Sequence, residues 1–258
     1  TDANGCTTGT SADVLAQIDP QSICIVTVDT VTYSTNVIIW EKPTNPLGVE
    51  SYYIYRDSLG VYVLIGSQSF ATESQYIDSS VNINPNITSY RYKISAMDSC
   101  GNESELSGYH ETIHAQITAN GGEVDMIWDN YEGFGFCCYN IMRDSTGLDQ
   151  WEQIDHVSNN NFTYTDLNPP LGNIRYRIDI IPPSACNANK VKTYNTSKSN
   201  TSSAVFVALA ASTSSTMVSQ QGACDGTATA TVTGGAPSYS YLWSDPALQT
   251  TATAVGLC

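Results

Sequence analysis

The feature that most constrains this chain is an internal duplication. Ile39-Trp40-Glu41 returns as Ile127-Trp128-Asp129, and Tyr53-Ile54-Tyr55-Arg56-Asp57-Ser58 returns as Asn140-Ile141-Met142-Arg143-Asp144-Ser145. Tyr76-Ile77-Asp78 matches Tyr164-Thr165-Asp166, and Tyr90-Arg91-Tyr92-Lys93-Ile94 matches Ile174-Arg175-Tyr176-Arg177-Ile178. The offset is nearly constant at roughly 90 residues, the size of one small sandwich domain. Within each copy apolar and polar residues alternate, as Tyr90, Tyr92 and Ile94 do around Arg91 and Lys93, which is the period of a half-buried strand. Short alternating runs separated by Gly- and Pro-containing turns predict antiparallel sheets with one wet face, stacked into β-sandwiches.

Composition agrees with that reading and removes several functions. Charged residues are 14% of the 258, too few for a helix-rich surface. Ten Lys plus Arg against 25 Asp plus Glu give a net charge of −15, which opposes nucleic acid and anionic lipid as partners. No run of eighteen apolar residues exists, so no membrane insertion is expected. The segment Thr1-Asp2-Ala3-Asn4-Gly5-Cys6 has no charged and apolar leader pattern, so it is not expected to be a native N-terminus with its signal intact. Eight cysteines, none in a C-x-x-C pair, fit disulfides of an oxidising compartment better than a zinc cluster.

One string looks catalytic. His110-Glu111-Thr112-Ile113-His114 is a literal H-E-x-x-H, which on a helix places two imidazoles about 6 Å apart for one zinc with the Glu as base. Leu106, Tyr109, Ile113 and Ile117 fit a helical period, yet the duplication assigns this stretch to a strand entering the second copy. On a strand the two imidazoles would stand about 13 Å apart and could not chelate one ion. No nucleophile elbow or phosphate-cradling glycine loop is present. The expectation is therefore no enzyme, no catalytic residue, no metal and no cofactor. Tyr52, Tyr53, Tyr55, Tyr131 and Phe134 could line a glycan surface, although alternating aromatics are more often packed across strands. N-x-S/T sequons stand at Asn86, Asn102, Asn161, Asn195 and Asn200.

The strand with Trp, the Tyr-x-Ile-Tyr-Arg strand and the Tyr-x-Tyr-Lys-Ile strand resemble the B, C and F strands of fibronectin type III domains. Pro20-Gln21-Ser22-Ile23-Cys24-Ile25-Val26-Thr27-Val28-Asp29 and Asp98-Ser99-Cys100-Gly101-Asn102-Glu103-Ser104 resemble the tandem type III pair of large gliding-motility and surface proteins of Bacteroidetes. Cys224-Asp225-Gly226-Thr227-Ala228-Thr229-Ala230-Thr231-Val232-Thr233-Gly234-Gly235, followed by Tyr239-Ser240-Tyr241-Leu242-Trp243-Ser244, is similar to the SprB-type repeat, whose typical ending looks like Thr1 to Cys6. These resemblances imply an all-β chain of tandem immunoglobulin-like sandwiches followed by a partial repeat. The divisions expected are 1–17 for the tail of a preceding repeat, 18–112 and 113–209 for the two type III domains, and 210–258 for the partial repeat.

The resemblance further implies a structural or adhesive segment of a secreted protein at the bacterial surface, exported by type IX secretion. Its implied partners are neighbouring repeats, other copies in a fibre, and surface glycans. The alternative is a spacer or carbohydrate-binding domain of a secreted hydrolase. By the same analogy Cys24 pairs with Cys100, Cys186 pairs with Cys137 or Cys138, Cys6 pairs with a residue preceding the chain, and Cys224 needs a partner beyond Cys258. Asp-Ser/Thr-apolar motifs make Thr30, Ser58 and Ser145 candidates for O-glycosylation.

Overall fold

A computed structural model describes residues 21–42, 48–120, 122–186, 188, 194–235 and 238–258. Every regular element among them is a strand. The first sandwich uses β1 (Ile23–Val28), β2 (Asn36–Trp40), β3 (Val49–Ser58), β4 (Val61–Ser69), β5 (Gln75–Asp78), β6 (Arg91–Asp98) and β7 (His110–Glu111). Three of these form a sheet in the order β1-β2-β5, and four form the facing sheet β4-β3-β6-β7, all antiparallel. The second uses β8 (Ala115–Asn120), β9 (Glu123–Trp128), β10 (Cys138–Asp144), β11 (Glu152–Ser158), β12 (Thr163–Asp166), β13 (Gly172–Ile180), β14 (Ser197–Lys198) and β15 (Ser202–Phe206). Its sheets are β12-β9-β8 and β11-β10-β13, with β14 and β15 successively paired to β13. The all-β tandem of sandwiches expected from the sequence is the fold the chain has.

The duplicated residues mark equivalent places in the two cores. Alternation turns Tyr52 and Ile54 of β3 and Tyr92, Ile94 and Ala96 of β6 inward, where all are fully buried. Trp40 meets Tyr52 edge to face at 5.2 Å, and Trp128 meets Tyr139 at 5.4 Å. Arg56 binds Asp78 at 2.6 Å while the Tyr92 hydroxyl donates to the same carboxylate at 2.9 Å. In the second copy Arg143 binds Asp166 at 2.9 Å and Tyr176 donates to it at 2.8 Å. Each triad links one strand of the three-stranded sheet to two of the other, so it ties the sandwich across its open side. A buried carboxylate is tolerable there because a guanidinium and a phenol both face it.

One sheet departs from the expected single wet face. All five residues of β2 are buried, as are all of β1 except Cys24. Ile23, Val26, Ile38 and Trp40 face the first core. Ile25, Val37 and Ile39 face the other way and are covered by Tyr194, Cys186 and Ala188 from the connection between β13 and β14 of the second sandwich. A register shift between Ile23 and Ile25 lets Ile23 and Val26, an odd number of residues apart, face the same core.

The last segment forms a separate antiparallel sheet, in the order β16 (Ala210–Thr216), β17 (Gly226–Thr233) and β18 (Thr253–Leu257). β16 is exposed along its whole length, and among the described residues of the unit Ala254 is the fully buried apolar one. Cys224 and Cys258 are joined by a disulfide across it. The expectation that Cys224 needs a partner beyond Cys258 is thereby corrected: antiparallel pairing of Gly226 with Leu257 brings the two sulfurs together.

Candidate inter-domain joint

The H-E-x-x-H string and the Cys24–Cys186 bridge both lie where the two sandwiches meet. His110 and Glu111 form β7, paired to Tyr92 and Arg91, so the H-E-x-x-H string is extended and not helical. His110 is buried, its ring set edge-on to Tyr131 and Phe134 of the second sandwich, with Nδ1 2.8 Å from the Tyr131 hydroxyl. Burial pulls its pKa down to about 4, so the ring is neutral at physiological pH. Gly133 covers the imidazole so closely that a Cβ there would lie 2.5 Å from Cγ, at φ of +149°, a conformation L-residues avoid.

The neighbours of His110 complete the contact. Glu111 accepts from Arg91 Nε at 2.9 Å and from Ser89 Oγ at 2.8 Å, while its own N–H donates to the Glu132 carbonyl at 2.8 Å. Tyr109 donates its hydroxyl to the Glu132 carboxylate. Buried Thr112 accepts the Tyr90 N–H at 2.9 Å. His114 lies between the Asn86 carbonyl, at 3.2 Å, and the Asp129 carboxylate, at 3.7 Å. The two imidazoles thus face different partners, and among the described residues neither belongs to a cluster of potential metal ligands. Sequence reasoning could find this string but not its use, because the partner residues Tyr131, Glu132 and Gly133 sit in a loop of the other domain.

A second contact lies on the opposite side of β1. Cys24 is bonded to Cys186, 162 residues away, and this corrects both pairings expected by analogy. Cys100 is disulfide-bonded, but not to Cys24, and Cys137 and Cys138 are free. Cys6 lies outside the described residues. The reason is the path of the chain after each sixth-strand equivalent. In the first copy Asp98 accepts the N–H groups of Cys100 and Asn102 at 2.9 and 2.7 Å, and Gly101 at φ +84° closes a tight turn. In the second, Pro182-Pro183 has no amide hydrogens for such a turn and favours extended backbone. The connection therefore runs outward and delivers Cys186 to β1.

Around that bridge Tyr194 donates to the buried Asp29 carboxylate, Ser197 Oγ donates to the Val26 carbonyl, and the Lys198 N–H donates to Thr27 Oγ1 at 3.0 Å. Burial and the adjacent carboxylate push the Tyr194 phenol far up, so it remains a donor. Asp29, Tyr194 and Ser197 are joint residues that sequence reasoning missed. The available signal was length: residues 181–196 replace the shorter 99–109 of the first copy.

The other candidates sit elsewhere. Ser58 and Ser145 are exposed at equivalent turns, and Asp57 accepts the Gly60 N–H at 2.7 Å as Asp144 accepts that of Thr146 at 2.8 Å. Thr30 is partly covered and hydrogen-bonded to Tyr194. Tyr52 and Tyr131 are core residues, Phe134 belongs to the joint, and Tyr53 and Tyr55 are partly buried on β3. Asn86, Asn102, Asn161 and Asn195 are exposed, whereas Asn200 is buried with its carboxamide paired to both the N–H and the carbonyl of Ala115, at 2.7 and 2.9 Å.

Two folded modules clasped together are thus followed by a small disulfide-closed sheet. Residues 221–248 match the SprB repeat. That match covers β17, the strand that begins two residues after Cys224, and the Trp243 loop. No curated protein matches the chain. Among solved structures, similarity extends to the chicken CNTN1 FN1–FN3 domains, at 14% identity over 72% of this chain and 67% of that one, with a TM-score of 0.29. A two-domain fibronectin type III segment of chicken tenascin is 12% identical over 72% and 96%, with a TM-score of 0.26. The chicken interferon gamma receptor alpha chain is 12% identical over 73% and 98%, at 0.27.

Proposed function

We propose that this chain is a non-enzymatic, structural and adhesive segment of a large secreted protein of the bacterial cell surface, related to gliding motility and exported by type IX secretion. The observation that carries this reading is the SprB repeat match directly following two sandwiches that are covalently joined to each other. The one catalytic-looking string is accounted for as joint structure: His110 is buried against Tyr131 and Phe134, Glu111 is bonded to Arg91 and Ser89, and His114 lies between Asn86 and Asp129. The partners of such a segment are further repeats of the same protein or other copies in a fibre, and surface glycans. Ser58 and Ser145, exposed on matching turns, are the positions best placed for O-glycosylation.

The test is protease shaving of intact cells of the source organism, followed by peptide mass spectrometry. Tandem-derived peptides released before lysis, from a subunit much larger than 27.8 kDa and bearing further SprB repeats, support the reading. Release only after lysis, or a chain continuing into a hydrolase domain, overturns it in favour of an intracellular protein or an enzyme's spacer. Sugar masses on the peptides holding Ser58 and Ser145 would support the modification, and unmodified peptides from native material would remove it.

A further inference from the structure

We propose that the Cys24–Cys186 bridge is a tension-bearing shortcut that takes pulling force past both sandwiches and makes the tandem nearly inextensible. The inference rests on topology. Cys24 is the second residue of β1 and Cys186 lies just beyond β13, so the bridge encloses every strand from β2 to β13 within a covalent loop of sequence separation 162. Its sulfurs hold the two Cα atoms 5.7 Å apart. Force that enters before Cys24 and leaves after Cys186 crosses one S–S bond. The hydrogen bonds that the enclosed strands make with one another are not in that path; those that β13 makes with β14 and β15 are.

The bridge is seated and not merely attached. Ile25, Val37 and Ile39 on one side and Tyr194 and Ala188 on the other pack in one apolar cluster with the partly buried bridge, and the Tyr194–Asp29 and Ser197–Val26 bonds join the same segments. Cys24 and Cys186 are thus brought together by packing that spans the two domains. On the far side, the His110 contact holds the same sandwiches at a second point.

Among the described residues, β14 and β15 are the strands of the tandem that lie beyond the bridge. β15 pairs with β13 so that Phe206 opposes Gly172, while Ser197 of β14 opposes Ile180. The pulled end and the bridged end therefore lie at opposite ends of β13, and tension loads the β15 ladder along its length, with all its bonds sharing the force. If that ladder yields, residues 187–206 can extend by about 70 Å before the chain is taut to the bridge. Without the bridge, the enclosed segment adds roughly 550 Å. Tandem sandwiches joined only by linkers would lengthen domain by domain, whereas this pair would transmit displacement with little loss.

This inference gives a mechanical role to the segment under the surface-protein reading, and its test is independent of where the protein resides. The full chain is held between handles at its two ends and stretched in oxidising buffer in an optical trap. Cys100 carries a disulfide of its own, so the comparison is made in a Cys100→Ser background, with and without Cys24→Ser/Cys186→Ser. The bridged chain is expected to lengthen by no more than about 70 Å from the tandem, and the unbridged one by roughly 550 Å more. Because the double variant could fail to fold, the same bridged molecule is also stretched before and after a dithiol reductant is added. Appearance of the long extension only after reduction supports the proposal. Tandem steps summing to the full length in the bridged chain overturn it, and cell shaving would leave that result unchanged.

Discussion

Acid should loosen the joint through His110, and the size of the effect follows from its burial. The folded pKa is about 4 against an ordinary 6.5, so any state that exposes the ring binds a proton more readily than the native state does. The contribution is fully present above pH 6.5 and is lost as pH falls from there toward 4. Linkage gives about 2 kcal/mol lost at pH 5 relative to pH 7.5, approaching about 3 kcal/mol below pH 4. The groups that share the site are the Tyr131 hydroxyl, which burial holds protonated, and the rim charges Arg91, Glu111 and Glu132. His110→Phe keeps the contact with Phe134 but cannot titrate, and it leaves the Tyr131 hydroxyl unpaired at a cost of about 1–3 kcal/mol at neutral pH. Urea unfolding of both proteins, followed by tryptophan fluorescence at pH 7.5 and 5.0, yields a double difference in which the shared carboxylates cancel. Exchange of the Glu111 amide, bonded to the Glu132 carbonyl, reports the same event locally. The wild type should lose about 2 kcal/mol more than the variant between the two pH values. A double difference under about 0.5 kcal/mol would refute the argument, since it would mean that His110 is solvated or charged in the native joint.

Three further outcomes follow from the same structure. Gly133→Ala puts a Cβ against the imidazole and forces φ of +149° on an L-residue, so thermal unfolding should show a loss of about 2 kcal/mol or more, relieved in part by His110→Ala. Asp166→Ala removes the acceptor of the Tyr176 hydroxyl but leaves Arg143 paired with Glu152, and should cost about 1–3 kcal/mol by denaturant titration, whereas Asp78→Ala in the first sandwich, where among the described residues Arg56 is ion-paired with Asp78 alone, should cost more, about 3–5 kcal/mol. Cys224→Ser opens a loop with a sequence separation of 34 and should remove about 3–4 kcal/mol; with so little core around Ala254, residues after 206 should become the first site of limited proteolysis while the tandem stays intact.

How much of this was legible in the sequence divides along the range of the interactions. Period-2 alternation and the duplication are read within short strings, and they marked strands such as β3 and β10, which bury alternate side chains; β1 and β2, buried on both faces, depart from that pattern. Arg56, Asp78 and Tyr92, with their counterparts Arg143, Asp166 and Tyr176, all lie in the repeated strings. Their recurrence marked them, although only the packed sandwich shows that each set converges on one carboxylate.

What one copy does to the other was not legible, because duplication reports what two domains share and a joint between them is built from what they do not share. His110 and Tyr131 stand on either side of the boundary, so no repeat alignment sets them together. The cysteines show the same logic in its sharpest form. Analogy placed Cys100 and Cys186 at equivalent loops of the fold and gave each a partner within its own domain. The residues around them differ in a way that decides the outcome: Asp98 and Gly101 fold the first connection back on itself, and Pro182-Pro183 deny the second any such turn. With a turn, a cysteine stays at the pole of its own domain. Without one, the chain travels until an apolar surface stops it, and Ile25, Val37 and Ile39 on the neighbouring sheet are that surface. A disulfide between domains is thus the covalent record of a missing turn, and the first place to seek such a joint in a duplicated chain is the loop whose length and proline content break the repeat.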